Sequence, residues 1–130
     1  MGGAGLCLAG QSYRTGGVDS ENLEVALPGR SKCGEIVLIG AHYDSVKGSA
    51  DDNASGAAAL LEIGRAFVRL TPERNVRLVA FVNEEPPFVC SRVMGSMILR
   101  AGRAGAGDDI RLRVSLEMLG YYSQELQRGP

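Results

Sequence analysis

The chain has 130 residues, 45% of them hydrophobic, and its 14 basic and 15 acidic side chains leave a formal charge of -1. This length and composition are typical of one globular domain with a single core. The balanced charge excludes a basic surface for nucleic acid or anionic lipid, and no apolar run approaches the roughly 18 to 20 residues that a membrane-spanning helix needs.

The opening from Met1 to Gly10 is apolar and glycine-rich. It lacks the basic start and the longer apolar core of a secretion signal, so the sequence predicts no compartment. The cysteines Cys7, Cys33 and Cys90 have no C-x-x-C spacing, which argues against a zinc site built from cysteines.

The first half of the chain predicts two strands and then a helix. Residues 23–27 alternate apolar and polar side chains, as a half-buried strand does, and residues 35–40 form an apolar run that suits a strand covered on both faces. A turn separates them at residues 28–34. After a loop at residues 44–52, a helix is predicted from Asn53, with one apolar stripe made of Leu60, Ile63, Gly64 and Phe67.

The second half repeats the order of strand and helix. Residues 76–82 predict a third strand, Met94 to Ala101 a short second helix, and Arg111 to Leu116 a fourth strand. The glycine-rich stretch Gly102 to Gly107 is interpreted as a loop that joins the second helix to the fourth strand. A strand, a helix and another strand in sequence imply a parallel crossover. The pattern therefore predicts an α/β fold with three layers, α/β/α, and a mixed, mostly parallel sheet.

Potential metal-binding side chains follow three of these strands. His42 comes after the second, Glu84 and Glu85 after the third, and Glu117 after the fourth. Because ligand sites in open α/β sheets form at the carboxyl ends of strands, we expect these side chains to lie close together.

The segment around His42 has the pattern of a metal ligand and its supporting carboxylate. His42 and Asp44 share one side of the chain, so the carboxylate can hold the second imidazole nitrogen. A histidine that is hydrogen-bonded in an ordinary loop is the alternative. Asp51, Asp52 and Asn53 suit a helix N-cap, but a cap needs only one of them. We therefore favour a carboxylate here that bridges two cations.

The three glutamates complete an acidic cluster. Neighbouring side chains diverge at a strand end, so one of Glu84 and Glu85 can bind metal while the other faces water, although a solvated acidic strand end is also possible. Glu117 has apolar neighbours and needs a partner. If Asp52 meets these glutamates, four negative charges require cations, and two divalent ions would balance them. Oxygen and imidazole ligands suit zinc, with cobalt or manganese as substitutes.

Five motifs resemble those of the di-zinc aminopeptidases of the leucyl aminopeptidase type, whose relatives include glutamate carboxypeptidase and glutaminyl cyclase. In order, they are G-A-H-Y-D-S at 40–45, A-D-D-N-A-S-G at 50–56, N-E-E at 83–85, M-G-S at 94–96 and L-E-M-L-G at 116–120. The resemblance implies a zinc-peptidase-like fold and a hydrolase that removes N-terminal amino acids from a peptide substrate. The family is often secreted or periplasmic.

The resemblance also implies a role for each matching residue. It assigns four metal ligands for two zinc ions, which are His42, Asp52, Glu85 and Glu117. Asp52 is the ligand that bridges both ions, and Glu117 stands where many members use aspartate. Glu84 is implied to be the general base that takes a proton from the attacking water, and Asp44 orients the imidazole. The family often has a non-proline cis peptide after the bridging aspartate, which predicts one at Asp52-Asn53.

Two features depart from the family pattern. The family's second histidine ligand follows the L-E-M-L-G segment, whereas His42 is the only histidine in this sequence. Residues 88–93 also differ in sequence from the loop that the relatives have at this place. We therefore expect residues 1–130 to be a partial zinc aminopeptidase catalytic domain, incomplete at both ends, and a weak or inactive hydrolase by itself.

Two other functions fit parts of the sequence. A glutaminyl-cyclase-like acyltransferase with one zinc, or a relative without catalysis, would keep the fold. A calcium-binding module is the second alternative, because Asp51, Asn53, Ser55, Gly56 and Glu62 have the spacing of an EF-hand loop. An EF-hand needs a helix that enters the loop, and here a strand precedes it.

Overall fold

The computed structural model describes residues 7–46 and 50–121. The predictions for residues 1–6, and for residues 47–49 of the loop predicted at 44–52, lie outside this part of the chain. The described residues form the elements β1 (Cys7–Thr15), β2 (Val18–Leu27), β3 (Lys32–His42), α1 (Asp51–Phe67), β4 (Arg74–Phe81), α2 (Gly95–Ala106) and β5 (Asp109–Ser115).

The five strands form one mixed sheet in the order β1-β2-β4-β3-β5. The β1/β2 and β2/β4 pairs are antiparallel, while β3 pairs in parallel with both β4 and β5. Two of the four pairings within the described sheet are therefore parallel. Helix α1 connects β3 to β4 and helix α2 connects β4 to β5, so both parallel connections are helical crossovers, as the sequence predicts.

The two helices cover opposite faces of the sheet. Alternate residues of β3 serve the two faces: Ile39 packs in the core beside Leu60 of α1, and Leu38 packs in the core beside Leu99 of α2. Val79 of β4, which is fully buried, belongs to the α2 side. The helices cover both faces of the sheet at β3 and β4, so the predicted α/β class and its three layers are confirmed.

The sequence predicts a first strand at residue 23, whereas the described sheet begins with the β1–β2 hairpin. Gly16 and Gly17 make the turn with φ values of 57° and 87°, which glycine adopts without steric cost. The strand β1 was missed because its sequence, C-L-A-G-Q-S-Y-R-T, lacks a continuous alternation of apolar and polar residues.

The interpretation of Gly102 to Gly107 as a loop is wrong. Helix α2 continues to Ala106 and ends at Gly107, which has the left-handed φ of 68° common at helix ends. A Cβ on Gly102 would lie 3.2 Å from Nε2 of Gln11, so glycine lets α2 pack close to β1. Arg103, in the same stretch, pairs with Glu24 of β2. Tertiary contacts here outweigh the low helix propensity of glycine.

Neither helix of the described ranges has both the length and the apolar character that crossing a membrane requires.

Candidate metal centre

The candidate site lies where the three parallel strands end. His42 is the last residue of β3, and its neighbours β4 and β5 end at Phe81 and Ser115. The imidazole is buried, with 5% of the residue exposed. Carboxylates that follow β4 and β5 therefore approach a histidine shielded from water.

The histidine lies among acidic side chains. Its Nε2 is 3.1 Å from Oδ1 of Asp52 and 3.2 Å from Oε2 of Glu117. A carboxylate oxygen of Glu85 lies within 4.8 Å of the ligand atoms of His42 and Asp52. The structure thus brings together the four side chains that the sequence analysis selected as ligands, and their binding of metal stays a prediction.

The charges around His42 shift its pKa. Burial lowers the pKa of the imidazole, but the hydrogen bond with the Asp44 carbonyl and the negative charges of Glu117, Asp44 and Asp52 outweigh this, and the net pKa is raised. The pKa of Glu85 is also raised, first by desolvation and then by the charge of Asp52. The negative charges of the cluster therefore favour the protonated form of His42, and desolvation together with Asp52 favours the protonated form of Glu85.

Asp44 connects the ends of β3 and β4. Nδ1 of His42 lies 2.9 Å from the backbone carbonyl of Asp44 and 3.4 Å from its Oδ1. Its other oxygen, Oδ2, accepts the backbone N–H groups of Glu84 at 3.0 Å and Glu85 at 3.2 Å. With the Nδ1 proton donated to the carbonyl, Nε2 is free to bind a cation between the carboxylates.

Glu84 and Glu85 point to different partners, as expected at a strand end. Glu85 faces His42, whereas Oε1 of Glu84 accepts the backbone N–H of Ser96 at 2.6 Å, in the first turn of α2. Glu84 is therefore near the centre but outside the group of potential ligands. The residue before them, Asn83, has a left-handed φ of 61°, and its side chain donates to Ser20 Oγ at 3.0 Å.

Asn22, which no sequence motif singles out, fixes the start of α2. Asn22 is 1% exposed; its Nδ2 donates to the carbonyl of Gly95 at 2.8 Å and its Oδ1 accepts the N–H of Val82 at 3.2 Å. The N–H of Gly95 donates to the carbonyl of Val82 at 2.9 Å. The glycine of the M-G-S motif, Gly95, was the available sign of this contact, because so close an approach to Asn22 and Val82 leaves no room for a Cβ.

The peptide bond between Asp52 and Asn53 is cis, which confirms the prediction. Both residues have non-helical dihedral angles, so the regular part of α1 follows them. Oδ1 of Asn53 accepts the N–H of Gly56 at 3.1 Å, which is the hydrogen bond of an N-cap. Capping is thus the task of Asn53, and the Asp52 carboxylate is left to face His42.

The calcium-loop alternative is wrong. Residues 51–62 belong to α1, and Glu62 is exposed and pairs with Arg65 three residues further along this helix. The side chains of Asp51, Asn53 and Ser55 are hydrogen-bonded to the backbone of residues 116–120 instead of converging on a cation.

The fold and the cluster define an α/β domain with a candidate metal centre of imidazole and carboxylates at the ends of its parallel strands. Residues 22–128 match the family described as Peptidase family M28, and the chain belongs to this family.

Known proteins agree with this assignment. The chain is 42% identical over 99 residues to the uncharacterized protein YfbL of Escherichia coli (strain K12), covering 68% of this chain and 30% of that protein. It is 30% identical over 118 residues to leucine aminopeptidase 1 of Arthroderma otae, covering 79% of this chain and 30% of that protein. A glutaminyl cyclase from an Acidobacteriales bacterium has the same fold, with a TM-score of 0.72, 20% identity, and coverage of 88% of this chain and 44% of that one. The chain thus spans about a third of the length of these curated relatives.

Proposed function

We propose that this chain contributes the metal-binding core of a zinc-dependent aminopeptidase, which hydrolyses the N-terminal peptide bond of a peptide substrate. Membership of a peptidase family and the similarity to a leucine aminopeptidase support hydrolysis as the reaction class. The observation that carries the proposal is the position of His42 Nε2, within 3.2 Å of carboxylate oxygens from both Asp52 and Glu117.

The donor set fits zinc. A buried imidazole and nearby carboxylates are ligands that zinc accepts, and the negative charges of Glu117, Asp44 and Asp52 beside His42 help to raise its pKa. We propose His42, Asp52, Glu85 and Glu117 as the ligands. Zinc bound there would supply Lewis-acid activation of water and of the substrate carbonyl.

The chain's own residues would orient the centre and move the protons. Asp44 holds the imidazole and fixes the backbone of Glu84 and Glu85. Oε1 of Glu84 is held by the N–H of Ser96, so Oε2 is the oxygen that would take the proton from the attacking water and return it to the leaving amine.

With His42 as its only histidine, this chain offers one imidazole to a centre that we propose for two ions. We therefore expect the chain alone to bind metal with little or no hydrolysis. A glutaminyl-cyclase-like reaction is the second candidate, because that fold matches over 88% of the chain.

Elemental analysis of the purified chain after loading with zinc and dialysis tests the proposal. One or two zinc ions per chain are expected, and Glu85→Gln should lower this content while the exposed control Glu62→Gln keeps it. Two ions in the wild-type chain would exclude the one-zinc cyclase-like alternative. A wild-type chain that retains no zinc would refute the metal centre.

A further inference from the structure

The start of α1 is hydrogen-bonded to the segment that carries Glu117, which we call the Glu117 loop (Leu116–Gly120). Three side chains at alternating positions make these bonds. Oδ1 of Asp51 accepts the N–H of Gly120 at 2.9 Å, and Oγ of Ser55 accepts the N–H of Leu119 at 2.9 Å.

Asn53 makes two further bonds on either side of Glu117. Its Nδ2 donates to the carbonyl of Leu116 at 2.7 Å, and its Oδ1 accepts the N–H of Met118 at 3.2 Å. Every residue of the loop except Glu117 therefore has a backbone group bonded to a side chain of α1. Glu117 is left as the one loop residue whose backbone these side chains do not hold.

The side chain of Glu117 has few contacts of its own. It is 52% exposed, and within the described ranges its polar contacts are Oγ of Ser115 at 3.2 Å and Nε2 of His42 at 3.2 Å. An exposed glutamate retains considerable rotamer freedom, so its placement at His42 depends on the backbone that carries it.

Glycine lets the two segments approach closely. A Cβ on Gly56 would overlap the carbonyl oxygen of Leu116, and a Cβ on Gly120 would lie 2.6 Å from Oδ1 of Asp51. Larger residues at either position would force the Glu117 loop away from α1. The close contact therefore depends on one glycine in each segment.

We propose that Asp51, Asn53 and Ser55 are positioning residues that set the place of Glu117 relative to Asp52. Asp52 lies between Asp51 and Asn53 in the chain, so a single segment carries one acidic ligand and holds the backbone of the other. This inference rests on the proposed metal function. It gives the D-x-N-x-S pattern a role in ligand placement that differs from both helix capping and calcium binding.

The test combines metal affinity with backbone hydrogen exchange in the full chain. Co²⁺ affinity is measured for wild type, Ser55→Ala, Glu117→Gln and the double variant, with Ser12→Ala as a matched control, since Ser12 loses one side-chain hydrogen bond far from the loop. Ser55→Ala should weaken Co²⁺ binding about 10-fold, the lower end of the effect of removing support from a metal ligand. In the Glu117→Gln background the same substitution should change affinity less than about 2-fold, because the ligand that it positions is gone.

Hydrogen exchange in the metal-free chain measures whether the hydrogen bonds between α1 and the Glu117 loop are intact. The amide of Leu119 should exchange faster in Ser55→Ala than in wild type, and Ser55→Thr, which retains the hydroxyl, should restore both exchange and Co²⁺ affinity. Asp51→Ala, at the Gly120 end of the loop, provides an independent variant if Ser55→Ala does not fold.

The outcomes separate the two claims. A wild-type chain that binds no Co²⁺ refutes the proposed function and, with it, the positioning role. A wild-type chain that binds Co²⁺ through Glu117, but keeps its affinity in Ser55→Ala and Asp51→Ala, refutes the positioning role alone. Equal losses of affinity from Ser55→Ala with and without Glu117 would refute it as well.

Discussion

Asp44 illustrates how one side chain can serve two strands. Its carbonyl and Oδ1 face Nδ1 of His42, while Oδ2 accepts two backbone N–H groups after β4. Because the same residue orients the imidazole and places Glu85, its removal should disturb two proposed ligands together. The H-x-D spacing suggested that Asp44 orients the imidazole. Nothing in the sequence indicated that it also accepts the backbone N–H groups of Glu84 and Glu85.

The first prediction concerns Asp44→Asn. The amide keeps one oxygen for the N–H groups after β4 and the backbone carbonyl for the imidazole, but it places an uncharged N–H₂ donor where Oδ1 lies 3.4 Å from Nδ1 of His42, so the imidazole faces a second donor and loses a neighbouring negative charge. We expect zinc affinity to fall about 10- to 100-fold, as measured by competition with a chromogenic chelator. Asp109→Asn, at an exposed aspartate that pairs with Arg111, is the control and should bind zinc as wild type does. Unchanged affinity in Asp44→Asn would contradict this role.

The second prediction separates Glu84 from the ligands. Glutamine can still accept the N–H of Ser96, so Glu84→Gln should retain zinc affinity within about 2-fold. It cannot take a proton from water, so a measurable wild-type rate of aminoacyl anilide hydrolysis, however low, should fall about 100- to 10,000-fold. Both quantities are measured on one preparation. A measurable wild-type rate that is unchanged in Glu84→Gln would exclude Glu84 as the base, and a large loss of zinc would make it a ligand instead.

At the scale of elements, the position of α2 relative to β2 and β4 determines where Glu84 is held. Asn22 bonds to both Gly95 and Val82, which fixes the start of the helix. At the other end, Arg103 pairs with Glu24 and with Asp108 at 2.7 Å, and these three side chains are largely shielded from solvent. Helix α2 is thus attached to the sheet at both ends.

The third prediction compares two glycines of α2. A Cβ on Gly95 would overlap Oδ1 of Asn22 and lie 2.5 Å from the carbonyl oxygen of Val82, so Gly95→Ala should destabilise the chain by about 1–3 kcal/mol. Gly102 lies in the helix interior, where the Cβ meets only the flexible end of Gln11, so Gly102→Ala should be neutral or stabilise by up to about 1 kcal/mol. Urea unfolding followed by circular dichroism measures both. Equal effects of the two substitutions would contradict the packing described for Gly95.

The same elements show which parts of the structure the sequence could predict. Strand β3 was predicted from its continuous apolar run and helix α1 from an apolar stripe with the period of a helix, and the meeting of His42, Glu85 and Glu117 followed because parallel strands end at one edge. Strand β1 and the last turn of α2 were not predicted. Strand β1 is defined by its pairing along its whole length with β2, and the last turns of α2 are held by Arg103, which pairs with Glu24 far away in the chain. Local propensity carries no information about such contacts.

At the scale of the whole molecule, the candidate centre joins segments far apart in sequence. His42 ends β3, Asp52 lies in the first turn of α1, Glu85 follows β4 and Glu117 follows β5. Without a cation, their negative charges repel one another at the point where these elements meet. A bound metal would remove this repulsion and connect four elements, so metal binding and the stability of the fold should be coupled.

The fourth prediction is that zinc raises the thermal stability of the chain. A ligand that binds the folded state alone stabilises it by about 2.7 kcal/mol at 100 times its dissociation constant, because unfolding must release it. For a chain of this length, that corresponds to an increase in Tm of roughly 5–20 °C, measured by circular dichroism with and without zinc. EDTA should reverse the increase, and Glu85→Gln should reduce it, whereas the exposed control Glu62→Gln should retain it. Calcium should stabilise the chain less than zinc does, because the imidazole of His42 is a ligand that zinc prefers and calcium does not. An identical Tm with and without zinc, or an equal increase with calcium, would show that these four segments meet without forming a zinc site.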